Sequence, residues 1–177
     1  MRILRSVSES FLIKKSDAVS IYTASLISLL VYVLIFYFPL FRVVGTLDNS
    51  LPYHFFIWIR PDRENLLAQI RKYRYVEIKT DRFRNYEPIK KKGALFLVKK
   101  AVCLPGDILE VIGERFFCNG KFVGAVHPSA PAKPFLWNGK IPEGVIFAAG
   151  THPKSFDSRY IGFVKFSEIT GILIPLF

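Results

Sequence analysis

Ala94-Leu95-Phe96-Leu97-Val98-Lys99-Lys100-Ala101-Val102-Cys103-Leu104-Pro105-Gly106-Asp107 is the stretch that decides the fold. Its first five residues are apolar without a gap, and it closes on a Pro-Gly turn dipeptide. A short apolar run bounded by turn residues reads as a buried strand. The text downstream continues in that key. Ile108 to Ile112 and Arg115 to Cys118 read as strands, and Asn119-Gly120 signals a type I′ hairpin before Lys121-Phe122-Val123. Residues 127–134 hold three prolines and form a loop, Gly144 to Gly150 is another buried strand, and 151–159 is a polar loop. Upstream, Tyr75 to Lys79 alternates like a strand, and Phe55 to Ile59 is a buried strand or an interfacial segment. Residues 61–74 fit a short helix opened by Pro61, with Leu66, Leu67 and Ile70 on one side. The expectation is a mostly-β domain.

That domain hangs from one long apolar segment. Ala18 to Phe41 holds 24 consecutive residues without a charge. At roughly 1.5 Å per residue, a helix of that length crosses a hydrocarbon core of about 30 Å. The chain therefore divides into 1–17 as a cytoplasmic segment, 18–41 as a transmembrane helix, and 42–177 as an extracytoplasmic domain. Arg2, Arg5, Lys14 and Lys15 precede the span, and Arg42 alone follows it closely. The positive-inside rule then puts the N-terminus in the cytoplasm and the domain in the periplasm. The run ends Phe38-Pro39-Leu40-Phe41 rather than in small residues, so it reads as a retained inner-membrane anchor and not a cleaved leader.

Composition narrows the classes further. The 177 residues include 51% hydrophobic residues, 25 basic and 14 acidic side chains, and a net charge of +11. Gly and Pro number 11 each and no repeat appears, which excludes collagen-like and repeat arrays. The two cysteines, Cys103 and Cys118, are fifteen positions apart, which excludes a C-x-x-C redox motif and a four-ligand zinc site. No cofactor or metal is expected. An oxidising compartment permits pairing, but sequence spacing does not establish bonding reach, and two small buried thiols are the expectation.

Three segments carry nucleophilic chemistry: Ser50-Leu51-Pro52, the Lys99 strand, and Ser155-Phe156-Asp157-Ser158-Arg159-Tyr160. A serine hydroxyl needs a base to attack, and a neutral lysine can serve. Apolar surroundings penalise the ammonium form, so Lys99, following Leu95-Phe96-Leu97-Val98, is expected to titrate below a free lysine. A Ser-His-Asp set can also be drawn from Ser50, His54 or His152, and Asp157, but no spacing singles it out.

With the anchor, the serine segment, Lys-Lys-Ala-Val-x-Leu-Pro-Gly-Asp, the Asn-Gly-Lys hairpin and Ser-Phe-Asp-Ser-Arg-Tyr-x-Gly in this order, the chain resembles the type I signal peptidases. These are serine–lysine membrane proteases, and the single anchor and the proline after the serine are similar to the TraF-type conjugative branch. The resemblance implies a mostly-β catalytic domain behind one transmembrane helix, with Ser50 as nucleophile and Lys99 as general base. It implies that Ser155 bonds and orients the lysine amine, that Asp157 and Arg159 form an ion pair fixing their loop, and that Asp107 holds the turn after the lysine strand. Asp48 stands where that branch usually carries threonine, which leaves the Ser50 backbone N–H and Asn49 as candidate oxyanion donors. His54 replaces a usual glycine, and Gly150-Thr151-His152 replaces a usual Gly-Asp-Asn.

The expected function is cleavage of signal sequences from membrane-inserted precursors, a pilin precursor of a conjugative system in particular. The alternative is a catalytically idle pilus or secretion assembly component. Expected partners are the precursor, membrane lipid and conjugation or secretion machinery. Residues 60–100 hold thirteen basic against five acidic residues, which suits anionic lipid. No nucleic-acid motif accompanies them, so nucleic acid is not expected.

Overall fold

The computed structural model describes residues 15–37, 41–46, 49–86, 89–90, 93–130 and 132–176. The chain divides into two units, Met1–Leu40 and Phe41–Phe177. In the first, α1 spans Lys15–Tyr37, a length of about 34 Å at 1.5 Å per residue. Its stretch Ala18–Ile35 is long and apolar enough to cross a membrane.

The apolar run does not stay helical to its end. Phe41 opens β1 (Phe41–Gly45), which pairs antiparallel with β2 (Phe55–Ile59). A count of uncharged residues is blind to this switch at Phe41, because that residue is as apolar as the run before it. Phe55 to Ile59 is thereby a strand, as one of the two readings had it.

The second unit holds two antiparallel sheets. The larger has the order β1–β2–β11–β3–β4–β9–β10, where β3 is Tyr75–Lys79, β4 Phe96–Cys103, β9 Val145–Ala149, β10 Val164–Lys165 and β11 Ile169–Pro175. The smaller runs β7–β6–β5–β8, with β5 at Ile108–Ile112, β6 at Arg115–Cys118, β7 at Lys121–Ala125 and β8 at Gly139–Lys140. Between β6 and β7, Asn119 and Gly120 take φ of 47° and 74°. Two successive positive φ values are what the type I′ turn requires, and Asn-Gly tolerates them best.

The helix α2 covers Leu66–Tyr73, later than Pro61 suggests. Asp62 explains the delay. Its carboxylate accepts the backbone N–H groups of Glu64 and Asn65 and the Asn65 side-chain amide, holding 62–65 as a turn. The hydrogen bond from Asn65 is also the main reason the Asp62 carboxyl lies below its ordinary value. Leu66 and Ile70 of α2 join Val76, Ile78, Leu97, Ile146 and Ile172 in the main core.

One buried carboxylate ties four adjacent strands. Glu77 of β3 accepts from Arg42 Nη2 of β1 at 3.2 Å, Trp58 Nε1 of β2 at 3.0 Å and Thr170 Oγ1 of β11 at 2.8 Å. Buried charge persists where it is this fully hydrogen-bonded.

Cys103 and Cys118 form a disulfide, with Cα atoms 5.7 Å apart, and this corrects the expectation of two buried thiols. Fifteen residues of separation say nothing about approach. The two sheets bring the end of β4 against the end of β6. Closing a loop of about this length stabilises by roughly 3 kcal/mol in the chain-entropy account. Asp107 reinforces the same corner, accepting the Leu104 N–H at 2.8 Å and the Asn119 amide at 2.9 Å.

Candidate active site

In β4 the side chains alternate between faces, with Leu97, Lys99 and Ala101 on the buried one. Lys99 pairs in register with Val76 of β3 and is only 2% exposed. The strand that buries Leu97 and Ala101 therefore buries a lysine by the same period of two. A lysine is among the residues least often buried, so its place calls for a reason. Its Nζ lies 2.7 Å from Ser50 Oγ and donates a hydrogen bond to it. The two groups come from segments 49 residues apart.

The Ser50 loop is pinned through its own carbonyl. Ser50 O accepts the N–H of Thr151 at 2.8 Å, the N–H of His152 at 3.3 Å and Thr151 Oγ1 at 3.3 Å. Gly150 precedes these donors in the tightest spot of the site. A Cβ there would lie 2.6 Å from Ser50 O and would collide with Ser155 Oγ. Gly150→Ala should therefore displace the nucleophile loop and lower kcat/KM about 100-fold, the scale of a small misplacement of reacting groups. Peptide-cleavage kinetics on the purified variant check this, and wild-type kcat/KM would contradict it.

The loop below carries the ion pair. Asp157 and Arg159 meet in a forked contact, Nε to Oδ1 at 2.8 Å and Nη2 to Oδ2 at 2.7 Å, with side chains 0% and 2% exposed. Asp157 also accepts the N–H groups of Gly150 and Arg159, capping the single-turn helix α3 (Ser158–Ile161). Burial by itself would lower the Arg159 guanidinium, but the hydrogen bond and charge of Asp157 raise it above its ordinary value. The same guanidinium donates to the carbonyls of Ala125, Pro153, His152 and Ser155. It thus fastens the loops after β7 and β9 to one another.

Ser155 is buried beside this pair, and its hydroxyl finds no hydrogen-bond partner among the described residues. The expected bond from Ser155 to the Lys99 amine is not made in this structure. Asn49 is exposed and lines the cleft next to Ser50, while Asp48 lies outside the described residues. His54 is exposed and does not line the cleft, which leaves the Ser-His-Asp alternative without its nearest histidine.

Ser50 and Lys99 lie in a cleft of about 1050 Å³. Leu95, Phe96, Ile89 and Phe156 give it an apolar wall, and His127, His152 and Lys154 line it too. Sequence reasoning did not place His127 at the site. It lies on the loop after β7, far from both catalytic segments in the chain, and no spacing flags it.

The family model for signal peptidase, peptidase S26, matches residues 15–176. The chain is similar to the conjugal transfer protein TraF of Agrobacterium fabrum (strain C58), 33% identical over 87 residues, covering 46% of this chain and 48% of that protein. It is also similar to signal peptidase I of Bacillus caldolyticus, 32% identical over 90 residues, covering 42% of this chain and 49% of that protein. The match thus spans about half the length of each of these curated relatives. A crystal structure of a signal peptidase I from Enterococcus faecalis V583 aligns with 22% identity and a TM-score of 0.36, over 55% of this chain and 91% of that one. With a family model matched across almost the whole length, the chain belongs to the signal peptidase family, peptidase S26.

Proposed function

We propose that this chain is a membrane-anchored serine endopeptidase that removes signal sequences from exported precursors with a Ser50–Lys99 dyad. The observation that carries the reading is the buried 2.7 Å contact between Lys99 Nζ and Ser50 Oγ. In its neutral form the amine takes the Ser50 proton as Oγ attacks the scissile carbonyl. The resulting ammonium gives that proton to the departing amine, leaving an acyl-enzyme. Water then enters and attacks the acyl carbon, losing a proton to the neutral lysine, which passes it to Ser50 Oγ as the Oγ–acyl bond breaks and the acid leaves. Asn49 and the Ser50 backbone N–H are the proposed oxyanion donors. Asp157 and Arg159 position the loop whose N–H groups hold the Ser50 carbonyl. Ser155 is proposed to turn its hydroxyl toward the amine once a substrate fills the cleft.

The similarity to a conjugal transfer protein supports a precursor from a conjugative system, a pilin-like one in particular. The same similarity favours the second reading, a catalytically idle assembly component. Replacing Ser50 by Ala separates the two. An unprocessed precursor should accumulate in cells carrying the variant, whereas an assembly role would survive both Ser50→Ala and Lys99→Ala.

The basic flank before α1 supports a cytoplasmic N-terminus and a periplasmic domain on an inner-membrane anchor. Protease added to intact spheroplasts should digest the domain. Protection of everything after residue 42 would contradict that orientation.

A further inference from the structure

We propose that His127, His152 and Lys154 form a rim of hydrogen-bond donors that takes an acidic side chain of the precursor, close to the scissile bond. The inference rests on the peptidase reading for what fills the cleft. Its own basis is a juxtaposition made by the fold. His127 follows β7 while His152 and Lys154 follow β9, and the buried Arg159 guanidinium holds the two segments together. It donates to Ala125 O at 2.8 Å on one side and to His152 O at 3.3 Å and Pro153 O at 3.4 Å on the other. Tyr160 adds a second tie, accepting the His127 N–H at 2.9 Å. All three rim residues line the cleft that holds Ser50.

Hydrogen bonding sets what the two imidazoles offer. Nδ1 of His127 accepts the Ser129 N–H at 3.2 Å, and Nδ1 of His152 accepts the Lys154 N–H at 3.1 Å. Ser129 Oγ also lies 2.9 Å from His127 Nδ1. With Nδ1 accepting, Nε2 carries the proton in the neutral ring, as it also does in the imidazolium, so in either form that nitrogen is a donor. Lys154 adds an exposed ammonium, which has no acceptor at all. Among the described residues, none of the three is paired with a carboxylate. Glu77 also lines the cleft, but Arg42, Trp58 and Thr170 already occupy its oxygens.

A surface of donors with positive charge fits a group with two acceptor oxygens and negative charge. Position adds the rest. The His152 backbone N–H donates to Ser50 O, so the rim begins beside the nucleophile. A carboxylate reaching it comes from a residue within a few positions of the bond cleaved. The facing wall of Leu95, Phe96 and Phe156 takes apolar side chains of the same extended segment.

The test uses the full-length Ser50→Ala chain in detergent micelles and fluorescent peptides blocked at both ends, so that no terminal carboxylate takes part. Each peptide carries small residues at the intended bond and one Glu, Gln or Lys within three positions of it. Anisotropy should show the best-placed Glu peptide binding about tenfold tighter than its Gln counterpart, the scale of one charge-assisted hydrogen bond. Lys154→Glu, a single exposed change, should remove that preference, and His152→Ala should reduce it. Equal affinity for Glu, Gln and Lys at every position overturns the proposal, as does an undiminished Glu preference in Lys154→Glu. Cleavage is read separately with the wild-type chain. Selective binding without cleavage would count against the peptidase reading while leaving the acidic-side-chain rim supported.

Discussion

Lys99→Arg should abolish cleavage, with kcat/KM down by about 10⁴-fold or more, since in the proposed dyad nucleophile and base act as one unit. A guanidinium stays charged at any working pH and cannot accept the Ser50 proton. Lys99→Met tests the same point with less steric change. It fills the apolar face between Leu97 and Ala101 without a charge, so the domain should fold while activity is lost. Lys100→Ala is the contrast. That side chain lies on the opposite face of β4, its Nζ 5.9 Å from the centre of the Tyr75 ring. Removing this partly buried cation–π contact costs about 1–2 kcal/mol of stability, and the rate should stay near that of the wild type. The wild-type rate should rise with pH as the working amine loses its proton, because only the neutral form is a base. Equal losses at Lys99 and Lys100 would contradict the assignment of the base.

Arg159→Ala should cost about 3–5 kcal/mol of stability, the range for breaking one side of a buried ion pair. The Asp157 carboxylate would stay buried without its main partner, and four carbonyls would lose a donor. For a domain of this size the midpoint should fall by roughly 10–17 °C. Arg159→Lys should recover only part of this, since one ammonium cannot reproduce the forked contact to Asp157 and the carbonyl contacts together. Scanning calorimetry of the purified chain checks both variants. A midpoint within about 2 °C of wild type for Arg159→Ala would show that the pair does not hold the loop.

Much of this architecture is legible in the residues, where local chemistry is decisive. The Asn119-Gly120 turn follows from tolerance of positive φ, and β4 follows from a bounded apolar run. Lys99 stands out because a charge at the end of that run must be either solvated or used. What local chemistry leaves open is long-range approach. Cys103 meets Cys118 only because two sheets converge, and β1 begins at Phe41, the last residue of an apolar run that reads as helix. The start of α2 moves to Leu66 because a single Asp62 side chain captures the preceding N–H groups. His127 reaches the cleft through the reach of Arg159, which no spacing in the chain encodes.

In the proposed dyad Ser50 Oγ becomes the acyl carrier, with Lys99 as its base. The most direct measurement is acylation by a small activated ester, such as a p-nitrophenyl alkanoate, quenched in acid and mapped by mass spectrometry of proteolytic fragments. The wild-type chain should gain one acyl group on the fragment containing Ser50. Ser50→Ala should gain none there, and Lys99→Met should be acylated at a rate lower by orders of magnitude. Undiminished ester turnover by Ser50→Ala, or acylation of the wild-type chain at another residue in place of Ser50, would contradict the account.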